Sequence, residues 1–153
     1  MRIKGCIAAL LIAWAMALSS AMVLAQATQK VATEEDLDKS MKAAQKAMQG
    51  TQGAMKAGAP EDARKSLASL RELIENSREF WVSHKKDDAI KANQEVVAKI
   101  DAADKVLSTT PVDTSAAAAA LKEVGGACLT CHKAYRVRDA ENNWVLKPGS
   151  IGG

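Results

Sequence analysis

Apolar residues recur at alternating steps of four and three along most of the chain, and no other feature constrains the fold as strongly. The stripe of the first segment comprises Leu37, Met41, Ala44, Met48, Thr51 and Met55. Steps of three and four place side chains on one face of an α-helix, whereas a half-buried strand alternates at every second residue. The chain is therefore predicted to be all-α.

Three further segments carry the same spacing. The second has Leu67, Leu70, Ile74, Ser77 and Trp81 on its stripe, with Leu73 and Phe80 beside it. The third has Ile90, Asn93, Val97, Ile100, Asp104 and Leu107. The fourth runs from Ala116 through Leu121 and Val124 to about Tyr135. Four helices of about 20 residues with short connections predict an antiparallel, up-down-up-down four-helix bundle.

Residues that begin or end helices lie at the borders of these segments. Thr33 precedes three acidic residues, a capping arrangement in which the acids oppose the helix dipole. Gly58 is expected to end the first helix, and Pro60 is suited to the first turn of the second. Asp113 or Thr114 is expected to cap the fourth helix.

The N-terminus has the pattern of a secretory signal peptide. Two basic residues precede the apolar run 6–18, and small residues then lead to a cleavage site after Ala25 or Ala27. An uncleaved membrane anchor is the alternative. The predicted limits are 1–25 for the signal peptide, 33–136 for the four-helix domain and 137–153 for an irregular C-terminal tail. We expect the mature chain to be periplasmic, with no membrane span.

Composition excludes two other classes of protein. Among 153 residues there are 30 alanines and only 5 aromatic residues, too few to fill an all-β sandwich or barrel. Without Arg2 and Lys4 of the signal peptide, 19 basic residues face 18 acidic ones, and no basic stretch is interleaved with aromatics. We therefore expect no nucleic-acid binding. An alanine-rich core buries little apolar area, so another group is expected to complete it.

Both cysteines that follow the signal peptide lie in the pentapeptide Cys128-Leu129-Thr130-Cys131-His132. Cys-x-x-Cys-His is typical of c-type haem attachment, because sulfurs at i and i+3 share one helix face and can reach both haem vinyl groups. His132 can then offer a nitrogen to the iron. A disulfide here would be strained on a helix, and zinc would need a fourth ligand. We predict one covalent haem c per chain, with a haem-free thiol-redox pair as the alternative.

The segment from Gly125 to Arg136, GGACLTCHKAYR, resembles the haem-binding helix of the class II cytochromes c, the cytochrome c′ family of four-helix bundles. The family has two glycines before the cysteines, and an aromatic residue followed by Arg after the histidine. The resemblance implies thioethers at Cys128 and Cys131, His132 as proximal ligand, and a haem near the C-terminal end of the fourth helix. It also leaves open a homodimer through the first two helices. Arg136, one turn beyond the histidine, is expected to lie in the haem surroundings.

Met41 is the predicted sixth ligand of the iron. In an up-down-up-down bundle the end of the fourth helix lies beside the start of the first, so His132 and Met41 share a level. Low-spin members of the family use a Met of the first helix, whereas five-coordinate members bind NO or CO. His84 is the rival ligand, because the connection after the second helix lies at the same end. Phe80 and Trp81 precede that connection and are expected to pack against the haem.

These features predict a cytochrome that carries single electrons between redox partner proteins and is not an enzyme. Two alternatives stay open: a five-coordinate haem protein that binds NO or CO, and a haem-free thiol-redox bundle. Methionine ligation raises the haem potential and suits electron transfer, so the sixth ligand distinguishes the first two functions.

Overall fold

The computed structural model describes residues 30–151, so the predicted signal peptide lies outside the described residues. Most of this part of the chain is helical. The helices are α1 Glu34–Lys56, α2 Pro60–Ser83, α3 Asp87–Leu107 and α4 Thr114–Tyr135. The predicted all-α class is confirmed. Within residues 30–151, no helix has the length and hydropathy that a membrane span requires.

The helices begin and end at the residues that the sequence singled out. The Thr33 hydroxyl accepts a hydrogen bond from the Asp36 N–H at 3.1 Å, and the Asp36 carboxylate accepts one from the Thr33 N–H at 3.2 Å, which makes a capping box. Gly58 follows α1 with φ +70°, a conformation that glycine adopts without strain. Pro60 opens α2, and Asp113 accepts hydrogen bonds from two N–H groups of the first turn of α4, each at 2.9 Å.

Each helix packs against the next one in the chain. The Ser40 hydroxyl of α1 donates to the Leu73 carbonyl of α2 at 3.3 Å. Between α3 and α4, the Lys99 ammonium lies 3.2 Å from the Glu123 carboxylate. The backbones of α1 and α4 approach each other less closely than those of successive helices.

Two clusters of buried side chains form the core. The larger cluster consists of Ala44, Ala63, Leu67, Leu70, Leu73, Ile74, Val96, Ile100, Ala103, Leu107, Ala117, Leu121, Val124 and Ala127. The smaller one, here named the aromatic cluster, consists of Val31, Leu37, Phe80, Trp81, Ala89 and Tyr135. The polar stripe residue Asn93 is buried as well, because its amide donates to the Ile74 carbonyl at 2.7 Å and to the Ser77 hydroxyl at 3.0 Å.

The C-terminal tail, predicted to be irregular, contains a short β-hairpin. Strand β1, Arg136–Arg138, pairs in antiparallel fashion with strand β2, Trp144–Leu146. Asn142 turns the chain with φ +64°, a conformation that asparagine tolerates. The Lys147 N–H donates to the Tyr135 carbonyl at 2.9 Å and so ties the hairpin to the end of α4. The prediction was wrong because strands of three residues are too short to show an alternating pattern.

Candidate functional site

Cys128 and Cys131 carry free, partly buried thiols on α4. Cys128 packs against the larger cluster and Cys131 against the aromatic cluster. Residues three apart share one helix face, so both sulfurs lie where the two clusters meet. Burial raises the pKa of both thiols, that of Cys131 to about 11. Both groups are therefore protonated thiols near neutral pH.

Met41 reaches the same place from α1. Its half-buried side chain packs against both clusters. Met48 and Met55, further along α1, pack against the larger cluster. Of the three methionines on α1, Met41 is thus the one that meets the aromatic cluster, which Cys131 also contacts.

Three aromatic rings form the centre of the aromatic cluster. Phe80 is fully buried and meets Trp81 edge to face, with ring centroids 5.1 Å apart. The Trp81 and Tyr135 centroids lie 4.8 Å apart. The Tyr135 hydroxyl donates to the Asp88 carboxylate at 2.6 Å. Burial and this hydrogen bond raise the pKa of Tyr135 well above its usual value, and the same bond lowers the pKa of Asp88. The sequence did not single out this bond between α3 and α4.

His84, the rival of Met41, is held by contacts at the C-terminal end of α2. Its Nδ1 lies 2.8 Å from the Phe80 carbonyl oxygen and 3.1 Å from the Ser83 hydroxyl. Its ring lies against the Phe80 ring, with centroids 4.3 Å apart. These contacts are all local, and they engage one of the two nitrogens with which the histidine could bind a metal.

His132 lies beside Arg136, one turn further along the chain. Nη1 of Arg136 is 3.2 Å from Nδ1 and 3.3 Å from Nε2 of the imidazole. Burial, together with the guanidinium charge, lowers the pKa of His132 to about 4. The imidazole is therefore neutral near pH 7, which is the form that binds a metal ion.

Trp144 of the hairpin lies under two guanidinium groups. The Cζ of Arg136 is 4.7 Å from its ring centroid and that of Arg138 is 4.0 Å away, within the range of cation–π contacts. Leu146 and Ile151 pack against the aromatic cluster, so the tail returns to the end of the molecule that holds the cysteines. The sequence left Trp144 unplaced, because its contacts depend on a hairpin that has no strong local signal.

The residues around the two thiols fit a covalently bound haem. Gly125 and Gly126 lie within one turn of Cys128, and a Cβ at either would meet no atom within 4 Å, so the surrounding space is open. Both thiols share a helix face, and a neutral imidazole and a thioether lie at the same end of the molecule. This donor set suits a c-type haem, whose iron takes imidazole and thioether ligands.

Comparison of the chain with known proteins found no relative. No protein-family model, curated protein or solved structure matches it. What the site does is therefore inferred from its own residues and contacts.

Proposed function

We propose that this protein is an exported, periplasmic c-type cytochrome that carries one haem on α4 and passes single electrons between redox partner proteins. One observation carries the proposal. The free thiols of Cys128 and Cys131 share a face of α4, next to the neutral imidazole of His132, and Cys131 packs against the cluster that Met41 also contacts.

Each residue of the site has a distinct role in this proposal. Cys128 and Cys131 would hold the haem through thioether bonds, His132 would offer its imidazole nitrogen to the iron, and Met41 would offer its thioether sulfur. A haem bound there supplies an iron that alternates between Fe(II) and Fe(III). The buried ring of Phe80 helps to exclude water from this end of the bundle.

The contacts between successive helices favour an up-and-down helix order, and that order supports the placement of Met41. Polar contacts between successive helices include Ser40 with Leu73, Arg64 with Asp104, Arg71 with Asp101, Asn93 with Ile74, Asp88 with Tyr135, and Lys99 with Glu123. Between α2 and α3 and between α3 and α4, a later residue of one helix meets an earlier residue of the other, as in antiparallel neighbours. We infer that α1 and α2 are antiparallel in the same way. This arrangement brings the first turns of α1 to the level of the last turns of α4.

Two features favour electron transfer over the alternatives. Met41 packs against both clusters, which suits a sixth ligand and disfavours the open site that NO or CO binding needs. The raised pKa values of Cys128 and Cys131 disfavour the thiol-redox alternative, because exchange requires a thiolate.

Haem content and the absorption spectrum of the purified, exported protein test the proposal. We expect the intact mass to include one haem and the spectrum to be low-spin. Met41→Ala should convert the protein to a high-spin form that binds CO, whereas the matched control Met48→Ala should keep the wild-type spectrum. A protein without haem would overturn the proposal. A high-spin wild type would favour gas binding, and a change with His84→Ala alone would make His84 the ligand.

A further inference from the structure

We infer that Trp144 is a positioning residue, which holds the Arg136 guanidinium against the His132 imidazole, so that the C-terminal hairpin belongs to the site. The geometry of this contact stands on its own. Its effect on the iron rests on the proposed function, in which His132 is the proximal ligand.

Arg136 is oriented by two rings. Its Nη1 lies 3.2 Å and 3.3 Å from the nitrogens of His132, and its Cζ lies 4.7 Å from the centroid of Trp144. Within residues 30–151, Arg136 makes no ion pair with a carboxylate. The Asp38 carboxylate attracts the Arg136 guanidinium and the Arg138 guanidinium repels it, without an ion pair at contact distance. An arginine gains rotamer entropy by moving into solvent, and the contacts with the indole and the imidazole oppose that movement.

The hairpin fixes Trp144 by contacts that do not involve the Arg136 side chain. Arg138 is opposite Trp144 in the strand register, and its guanidinium covers the indole at 4.0 Å. Arg138 also donates to the carbonyl of Asn142 in the turn. The Lys147 ammonium donates to the Lys133 carbonyl at 2.7 Å, which anchors the chain after β2 to the last turn of α4. The indole is therefore a fixed surface on which Arg136 rests.

A fixed positive charge beside a ligating imidazole changes the balance between the two iron states. The charge weakens electron donation by the ring and disfavours Fe(III), which carries more positive charge than Fe(II). Arg136 is thus expected to raise the reduction potential, and Trp144 is expected to act on the potential through Arg136. Loss of Trp144 should therefore lower the potential because the Arg136 guanidinium is no longer held beside the imidazole.

Midpoint potentials of the haem-loaded variants test whether Trp144 acts on the reduction potential through Arg136. Trp144→Ala should lower the potential, and Trp144→Phe, which keeps an aromatic face, should restore most of it. Val145→Ala is the matched control, because Val145 lies on the opposite face of the same hairpin and is 38% exposed. In an Arg136→Gln background, Trp144→Ala should cause no further change. An equal shift in both backgrounds, or an unchanged potential in Trp144→Ala, would overturn the inference.

An NMR measurement on the haem-free protein tests the positioning role of Trp144 independently of the proposed function. In the ¹⁵N-labelled haem-free chain, the ring current of Trp144 should shift the Arg136 Nε–Hε proton resonance upfield. A nuclear Overhauser effect should also connect the guanidinium protons of Arg136 with the imidazole ring protons of His132. Trp144→Ala should abolish both signals, and Val145→Ala should keep both. If the wild type lacks them, or Trp144→Ala keeps the contact with His132, the positioning role is wrong. If these signals behave as expected but the exported protein carries no haem, the positioning role stands and the proposed function fails.

Discussion

Replacement of Phe80 by alanine tests how much stability the aromatic cluster contributes. Phe80 is 0% exposed and contacts the rings of Trp81 and His84. Removal of a fully buried phenylalanine ring costs roughly 3–5 kcal/mol, because contacts are lost and a cavity remains. The free energy of unfolding of a small domain is only about 5–15 kcal/mol, so the variant should be folded but fragile.

Urea denaturation measures this loss directly. With a slope of about 2 kcal/mol per molar urea, a loss of about 4 kcal/mol lowers the unfolding midpoint by roughly 2 M. Val82→Ala is the nearby control: Val82 is 49% exposed, so its truncation should change stability by less than about 0.5 kcal/mol. Leu67→Ala, in the larger cluster, should cost roughly 2–5 kcal/mol.

Comparing Phe80→Ala with Leu67→Ala distinguishes a loss of stability from a change at the candidate site. Both side chains are 0% exposed, but only Phe80 belongs to the aromatic cluster that Met41 and Cys131 contact. Phe80→Ala should therefore alter the absorption spectrum of the haem-loaded protein, whereas Leu67→Ala should leave it unchanged. The reasoning is refuted if Phe80→Ala costs less than about 1 kcal/mol, or if the two variants perturb the spectrum equally.

Three other substitutions have defined outcomes. Thr33→Ala should reduce the free energy of unfolding by about 1 kcal/mol because the capping box is lost, whereas Thr33→Ser should keep most of it in the same urea titration. The Tyr135 hydrogen bond lowers the folded-state pKa of Asp88, so its stabilisation is present above the unfolded-state pKa and is lost as pH falls through the folded-state pKa. Tyr135→Phe should accordingly show a weaker decline of stability with acidification, by less than about 1 kcal/mol because Asp88 is exposed, and an unchanged pH profile would contradict this. Removal of the haem link by Cys128→Ala with Cys131→Ala should lower the thermal midpoint relative to the haem-loaded protein, and equal midpoints would count against a cofactor that completes the core.

Helix positions were predictable because periodicity and end signals agree with each other. Leu37, Ala44 and Thr51 are buried at the spacing that the first stripe predicts, and Met41 and Met48 between them are half-buried. The third stripe was less exact. The predicted stripe included Val97, which is partly buried, whereas its neighbour Val96 is 3% exposed. Adjacent positions on a helix differ by 100° about its axis, so tertiary packing decides between two neighbouring valines.

Contacts between distant segments could not be predicted in the same way. The hydrogen bond from Tyr135 to Asp88 joins residues 47 positions apart, and neither residue carries a local signal for the other. The position of Trp144 depends on a hairpin with strands of three residues. Its turn does carry a signal in Asp139 and Asn142, both favoured turn residues, but a turn alone does not show which side of the hairpin faces the bundle.

The large side chains are unevenly distributed between the two clusters, and this refines the interpretation of the alanine-rich composition. The larger cluster contains no aromatic residue, and five of its members are alanine. Phe80, Trp81 and Tyr135, the aromatic residues of the buried core, all lie in the aromatic cluster. Bulky side chains are therefore concentrated at the end of the bundle that holds Cys131.

This distribution also limits where a haem can add contacts. Phe80 is 0% exposed and Trp81 is 5% exposed, so their packing is already almost complete without a cofactor. Met41, Cys128 and Cys131 are only partly buried and have surface left to cover. A haem held by the two thiols should thus extend the aromatic cluster on the side of α1 and α4 rather than replace any of its rings. Hydrogen exchange should then show that haem loading protects the first turns of α1 and the last turns of α4 more than the Phe80 segment of α2, and protection confined to α2 would contradict this placement.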